Sequence, residues 1–140
     1  MKLLTISVDF DGTIAYEEYP DIGNPIPGAI EAINTLYDMG HTIIINSCRA
    51  GKHEQKMKNF LYLNSVKHHF VNENPAWRIE KYDGIDCRKI GADIYIDDRN
   101  IFTREINWPS IFAEIMNRCT EPGDKVPEIF KAAEEAVIIT

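Results

Sequence analysis

The chain has three cysteines, Cys48, Cys87 and Cys119, and no two of them form a Cys-x-x-Cys pair. An odd, widely spaced set provides neither a disulfide framework nor a zinc site. A reducing cytoplasm is the expected compartment. Long hydrophobic runs are also missing: the apolar stretch ahead of Asp9 is too short for a signal peptide and far too short to span a bilayer. Positive charge is in deficit, with 15 basic against 22 acidic residues and a net charge of -7, which disfavours a broad nucleic-acid surface.

Several phosphate and hydrolase signatures fail on counting. The arginine position of Cys-x5-Arg holds Glu54, Asp93 or Lys125. Gly51-Lys52 is followed by His53, so there is no Walker loop, and Gly-x-Gly-x-x-Gly occurs nowhere. None of Ser7, Ser47, Ser65 and Ser110 sits in a Gly-x-Ser-x-Gly elbow. His41, His53 and the pair His68-His69 lack metal-site spacing and read as surface or satisfied histidines.

What is present suits one soluble globular domain. The 140 residues match the usual domain size, and 44% hydrophobic with 26% charged residues is an ordinary balance. Leu3 to Val8, Thr42 to Asn46 and Asp93 to Asp97 are short apolar or β-branched runs, with His68 to Val71 a weaker fourth. Between the first two, Ile30, Ile33 and Tyr37 recur at helical spacing behind Pro27 and ahead of Gly40. Met57, Phe60 and Leu61 mark a second helix. Ile111, Phe112, Ile115, Met116 and Cys119 behind Pro109, then Ile129, Phe130, Ala133 and Val137 behind Pro127, mark covering helices over about 109–137. Alternating strands and helices predict an α/β domain of residues 1–140 around a mainly parallel sheet, whose ligands gather at the strands' carboxyl ends.

Those ends carry Asp9 and Asp11 of "DFDGT", Asn46-Ser47, and Asp97-Asp98. Converging carboxylates repel unless a cation separates them, so a hard ion such as Mg²⁺ is implied, and with it phosphate.

These motifs resemble the haloacid dehalogenase superfamily, in particular its small magnesium-dependent phosphatases, over about Leu3 to Ile101. "ISVDFDGTI", "TIIINS" and "IYIDDRN" stand where that family has its first, second and fourth motifs. The resemblance implies a three-layer Rossmann-like fold and an aspartyl-phosphate mechanism. Asp9 would be the nucleophile and Asp11 the acid and base; Ser47 would bind phosphoryl oxygens, and a lysine would offset charge. Lys89 is the expected lysine, ahead of Lys81 and Lys52. Mg²⁺ would be held by Asp9, the Asp11 backbone carbonyl and Asp97, with Asp98 acting from behind. Phe10, Gly12, Thr13, Cys48 and Arg49 are expected around the phosphate, with Gly12 giving a tight turn and neighbouring amides facing the anion. Cys48 reads as a buried small residue rather than a nucleophile. Arg49 and Arg99 divide evenly between substrate contact and surface, and Trp77 and Trp108 between core and pocket rim.

Too few residues separate the motifs for a cap domain. Ile14 to Ile26 is expected as a flap, "NENPAWRIEKYDGID" as a loop, and the site as open. The substrate is then a phosphorylated small molecule or a phosphate exposed on a macromolecule, with no membrane partner, nucleic acid disfavoured, and homo-oligomerisation left open. Glu17, Glu18 and Asp21 disfavour a polyanion, while Arg49, Lys52, Lys56 and Lys58 read as a solvated face. The alternative is a non-catalytic phosphate- or Mg²⁺-binding regulatory module. A glycosyltransferase is disfavoured because only a short segment precedes Asp9.

Overall fold

A computed structural model describes residues 1–130. Four parallel strands, β1 (Thr5–Asp9), β4 (Thr42–Asn46), β5 (Phe70–Val71) and β6 (Ile94–Ile96), form a sheet in the order β5-β4-β1-β6. Helices α1 (Ala29–Asp38), α2 (Lys52–Leu63), α3 (Ala76–Lys81) and α4 (Trp108–Cys119) flank it. The result is a three-layer, Rossmann-like α/β arrangement. Ile6, Val8, Ile43, Ile44 and Ile45 are fully buried, so the continuous apolar runs reflect burial on both faces of the sheet. No helix among the described residues is long and apolar enough to cross a membrane.

The expected flap is an antiparallel hairpin, β2 (Ala15–Glu18) with β3 (Asp21–Pro25). It leaves directly from the end of β1 and returns to α1, so its turn is placed beside the strand's carboxyl end.

Helix α1 buries Ala29, Ala32, Ile33 and Leu36, while Ile30 and Tyr37 are half-buried at the edge. The stripe read from the large residues is therefore rotated. Two alanines allow close approach of the backbone, a face that counting bulky side chains overlooks. In α2, Met57 and Leu61 are buried, with Phe60 at the margin. The segment expected to be a loop contains α3, which opens behind Pro75 and has no buried residue. Asn107 caps α4 by accepting from the Ser110 amide at 3.0 Å.

Helix α4 ends at Cys119, and residues 120–130 hold no helix. Ile129 and Phe130 still pack on the core, Phe130 edge-on to Phe112 with ring centroids 5.9 Å apart. Ala133 and Val137 of the second expected stripe lie outside the described residues.

Strand register assembles the site. Asp9 pairs with Asn46, and Val8 with Ile96, so Asp9, Ser47 and Asp97 end up side by side at one edge of three adjacent strands.

Candidate active site at the strand ends

Asp9, Asp97 and Asp98 offer carboxylate oxygens that all lie within 4.8 Å of one another. The Asp9 carboxyl is pushed up to about 8, first by burial, then by its hydrogen bond with Asp98 and the charge of Asp97, while a hydrogen bond from Thr13 opposes the shift. Asp98 Oδ1 is buried without a hydrogen-bond partner among the described residues. Repelling carboxylates with an orphaned oxygen fit a hard divalent cation, which would supply the missing positive charge and accept the free lone pair. Asp98 thus stands inside the cluster rather than behind it.

Thr13 ties the cluster together. Its hydroxyl donates to Asp9 Oδ2 at 3.0 Å and accepts from the Asp98 amide at 3.1 Å. Gly12 allows this approach: it has a φ of 83°, and a Cβ there would collide with the Asp98 carboxylate. Asp97 Oδ1 accepts from the Arg99 amide at 2.9 Å, which fixes the turn after β6.

The amides of Gly12 and Thr13 do not face an anion. Gly12 donates to the Ala15 carbonyl at 2.7 Å and Thr13 to that of Phe10 at 3.2 Å, because the turn into the hairpin takes up both donors. The Phe10 side chain is fully buried and stacks edge-on with Phe60, centroids 5.3 Å apart, so it supports the turn from beneath.

A cleft of about 320 Å³ is lined by Asp9, Asp11, Ser47, Asp97 and Arg99, with Glu17 and Tyr19 from the hairpin and Cys48 and Arg49 after β4. Ser47 is oriented through its backbone, donating to Asn72 Oδ1 at 2.7 Å, while its hydroxyl accepts from the Arg49 amide at 3.0 Å. Asn72 was missed in the sequence, although it immediately follows β5 and so obeys the same strand-end rule as the other site residues. Cys48 is exposed rather than buried. It sits in the loop between β4 and α2.

Arg49 is buried, not a surface residue. Its Nε and Nη2 grip Asp11 at 2.7 and 2.8 Å. Asp11 therefore lies in the cleft but outside the three-carboxylate cluster. Lys89 does not line the cleft; its Nζ lies over the Tyr95 ring, 4.8 Å from the centroid. Lys81 similarly rests over Tyr82 at 5.9 Å, and Lys52 begins α2 outside the cleft. Trp108 is core, and Trp77 is exposed.

No family model matches the chain, and no curated protein does. Among solved structures, a conserved protein from Bacteroides thetaiotaomicron is 33% identical, with a TM-score of 0.74, over 85% of this chain and 94% of its own. The chain belongs to that protein's family.

Proposed function

We propose that the protein is a Mg²⁺-dependent phosphohydrolase of the haloacid dehalogenase type that acts through an aspartyl-phosphate. The observation that carries this reading is the meeting of Asp9, Asp97 and Asp98 within 4.8 Å at the ends of β1 and β6, with Asp9 and Asp97 lining a cleft that also holds Ser47. Asp9, Asp97 and Asp98, with the Asp11 carbonyl, are the groups that would hold Mg²⁺. When bound, the ion neutralises the carboxylates and offsets charge on the phosphoryl oxygens.

Asp9 attacks phosphorus, a P–O bond forms to its carboxylate, and the bond to the leaving oxygen breaks. Thr13 holds the attacking carboxylate by donating to Oδ2, which leaves Oδ1 to react. Asp11 gives a proton to the leaving oxygen and recovers one from the water that opens the acyl-phosphate. Ser47 hydrogen-bonds the transferring group from the neighbouring strand. Lys89 would have to leave Tyr95 to compensate charge there. An exposed cation–π contact is worth about 0.5–1 kcal/mol, less than the roughly 1.5–3 kcal/mol of a hydrogen bond to a charged group.

One observation favours the non-catalytic alternative: both carboxylate oxygens of Asp11, the group assigned to protonate the leaving oxygen, accept hydrogen bonds from Arg49. Phosphate release from an aryl phosphate and a panel of phosphorylated metabolites, with Mg²⁺ and with EDTA, decides between them. Metal-dependent turnover lost in Asp9→Asn is the expected result. Mg²⁺ binding without turnover on any compound would favour the binding module.

A further inference from the structure

The Arg49 side chain is 1% exposed, at a position between a strand end and a surface hairpin. Burying a guanidinium is costly unless its donors are paired, and here four of the five are. Besides the two bonds to Asp11, Nη1 donates to the Pro20 carbonyl at 3.1 Å and Nη2 to that of Asp21 at 2.7 Å. The rings of Tyr19 and Phe10 lie 5.1 and 5.8 Å from its Cζ. An arginine that bound substrate would keep donors aimed into the cleft. This one directs them at the turn of the hairpin and at Asp11.

The same turn has weaker ties. Lys56 Nζ meets Asp21 Oδ1 at 3.1 Å, and the Tyr19 ring lies 5.2 Å from that of His53. The Lys56 pair is solvent-exposed on both sides and contributes little. The hairpin cannot swing away from the strand ends without breaking the two bonds that Arg49 donates to the Pro20 and Asp21 carbonyls, which would leave a buried guanidinium short of partners. Its Glu17 and Tyr19 therefore stay as a wall of the cleft, facing Asp97 and Arg99. The cleft's 320 Å³ is at the small end of ligand sites, which run from roughly 300 to 1,000 Å³.

We propose that Arg49 is a positioning residue that straps the β2–β3 hairpin and Asp11 into one unit, and that the strapped hairpin restricts the site to compact phosphomonoesters. The statement about substrate rests on the phosphatase reading; the statement about the strap does not.

The test is amide hydrogen exchange on the full chain, comparing native protein with Arg49→Lys and Lys56→Ala. Lysine keeps the charge but cannot span Asp11 and both carbonyls. In Arg49→Lys the amides of residues 15–25 should exchange at least ~10-fold faster, with those of β1 and β4 unchanged; Lys56→Ala should change them by less than ~3-fold. If Arg49→Lys does not fold, Tyr19→Ala, which removes the ring against the guanidinium, should accelerate the same amides. Unchanged hairpin exchange in the folded variant would overturn the strap.

Turnover of an aryl phosphate and of a phosphoserine peptide reads the second half. The native protein should favour the aryl ester by ~100-fold or more in kcat/KM, and Arg49→Lys should narrow that ratio by ~10-fold, mostly through KM. Preference of the native protein for the peptide, or an unmoved ratio with a loosened hairpin, would refute the size restriction. Absence of turnover on every compound would remove the phosphatase reading and the substrate claim with it, while the exchange data would still decide the role of Arg49.

Discussion

The indole nitrogen of Trp108 donates to the carbonyl oxygen of Thr13 at 2.9 Å, and both residues are fully buried. Helix α4 thereby reaches the backbone of the residue whose hydroxyl bridges Asp9 and the Asp98 amide. Core packing and site geometry meet at this bond. Trp108→Phe retains most of the ring volume but leaves a buried carbonyl without this donor, at a cost of about 1–3 kcal/mol. Urea unfolding should show a lower midpoint with an unchanged slope.

Loading the carboxylate cluster should stabilise the fold. A ligand that binds only the native state adds about 2.7 kcal/mol at a hundredfold excess over Kd. For a domain of this size, Mg²⁺ should therefore raise the thermal midpoint by several degrees, and EDTA should reverse the gain. Asp97→Asn should reduce that response, because it removes one of the three converging charges while the fold remains. An equal response in native protein and variant would mean that Mg²⁺ binds elsewhere.

Gly12 separates geometry from charge. Its φ of 83° costs any other residue about 1–2 kcal/mol, and the added methyl would displace the Asp98 carboxylate. Gly12→Ala should lower the unfolding free energy measured in urea by that amount and also blunt the Mg²⁺ response, although no ligand has been removed. Trp108→Phe, acting through Thr13, should weaken the Mg²⁺ response less, since it leaves Asp98 in place.

How much of this was legible in the sequence follows from what each signal measures. Buried parallel strands are continuous apolar runs, so β1 and β4 were readable, and the position of Asp9, Ser47 and Asp97 at strand ends followed from the pattern. The course of the hairpin was readable only as a gap too short for a cap. Arg49 was not readable: a guanidinium becomes buried through partners far along the chain, Asp11 and the carbonyls of Pro20 and Asp21, and no local pattern announces them. The placement of Lys89 escaped for a related reason. Spacing before β6 sets how far the lysine is along the chain, whereas its direction depends on the Tyr95 ring. Asn72 was legible in principle, since it follows β5, but two residues make a faint strand.

Two histidines give a pH dependence whose sign can be worked out. His41 is fully buried, and its Nδ1 accepts from the Leu4 amide at 3.0 Å; His69 Nδ1 accepts from the Ile43 amide at 3.0 Å beneath the Tyr37 ring. Both are pushed below the usual histidine value of 6.5, His41 by burial and His69 by burial and then by the charge of His68. Each accepts its backbone hydrogen bond only while Nδ1 is unprotonated. Below the ordinary value the unfolded chain takes up protons that the native rings refuse, so stability is complete above about pH 7 and is lost as the pH falls below 6.5. The limiting slope is about 1.4 kcal/mol per pH unit for each ring. Asp9 acts in the opposite sense. Its folded value of about 8 lies above the ordinary 3.8, so its contribution favours the native state at low pH and is lost as the pH rises through 8. The experiment therefore belongs in an Asp9→Asn background, by urea unfolding between pH 5 and 7.5, above the range where Glu54 and Asp124, both pushed down, take up protons. Stability should decline with acidification in that background, and His41→Asn, whose amide oxygen can replace Nδ1 as acceptor, should flatten the decline. A profile independent of pH, or one that His41→Asn leaves as steep as before, would show that His41 stays neutral without cost to the fold.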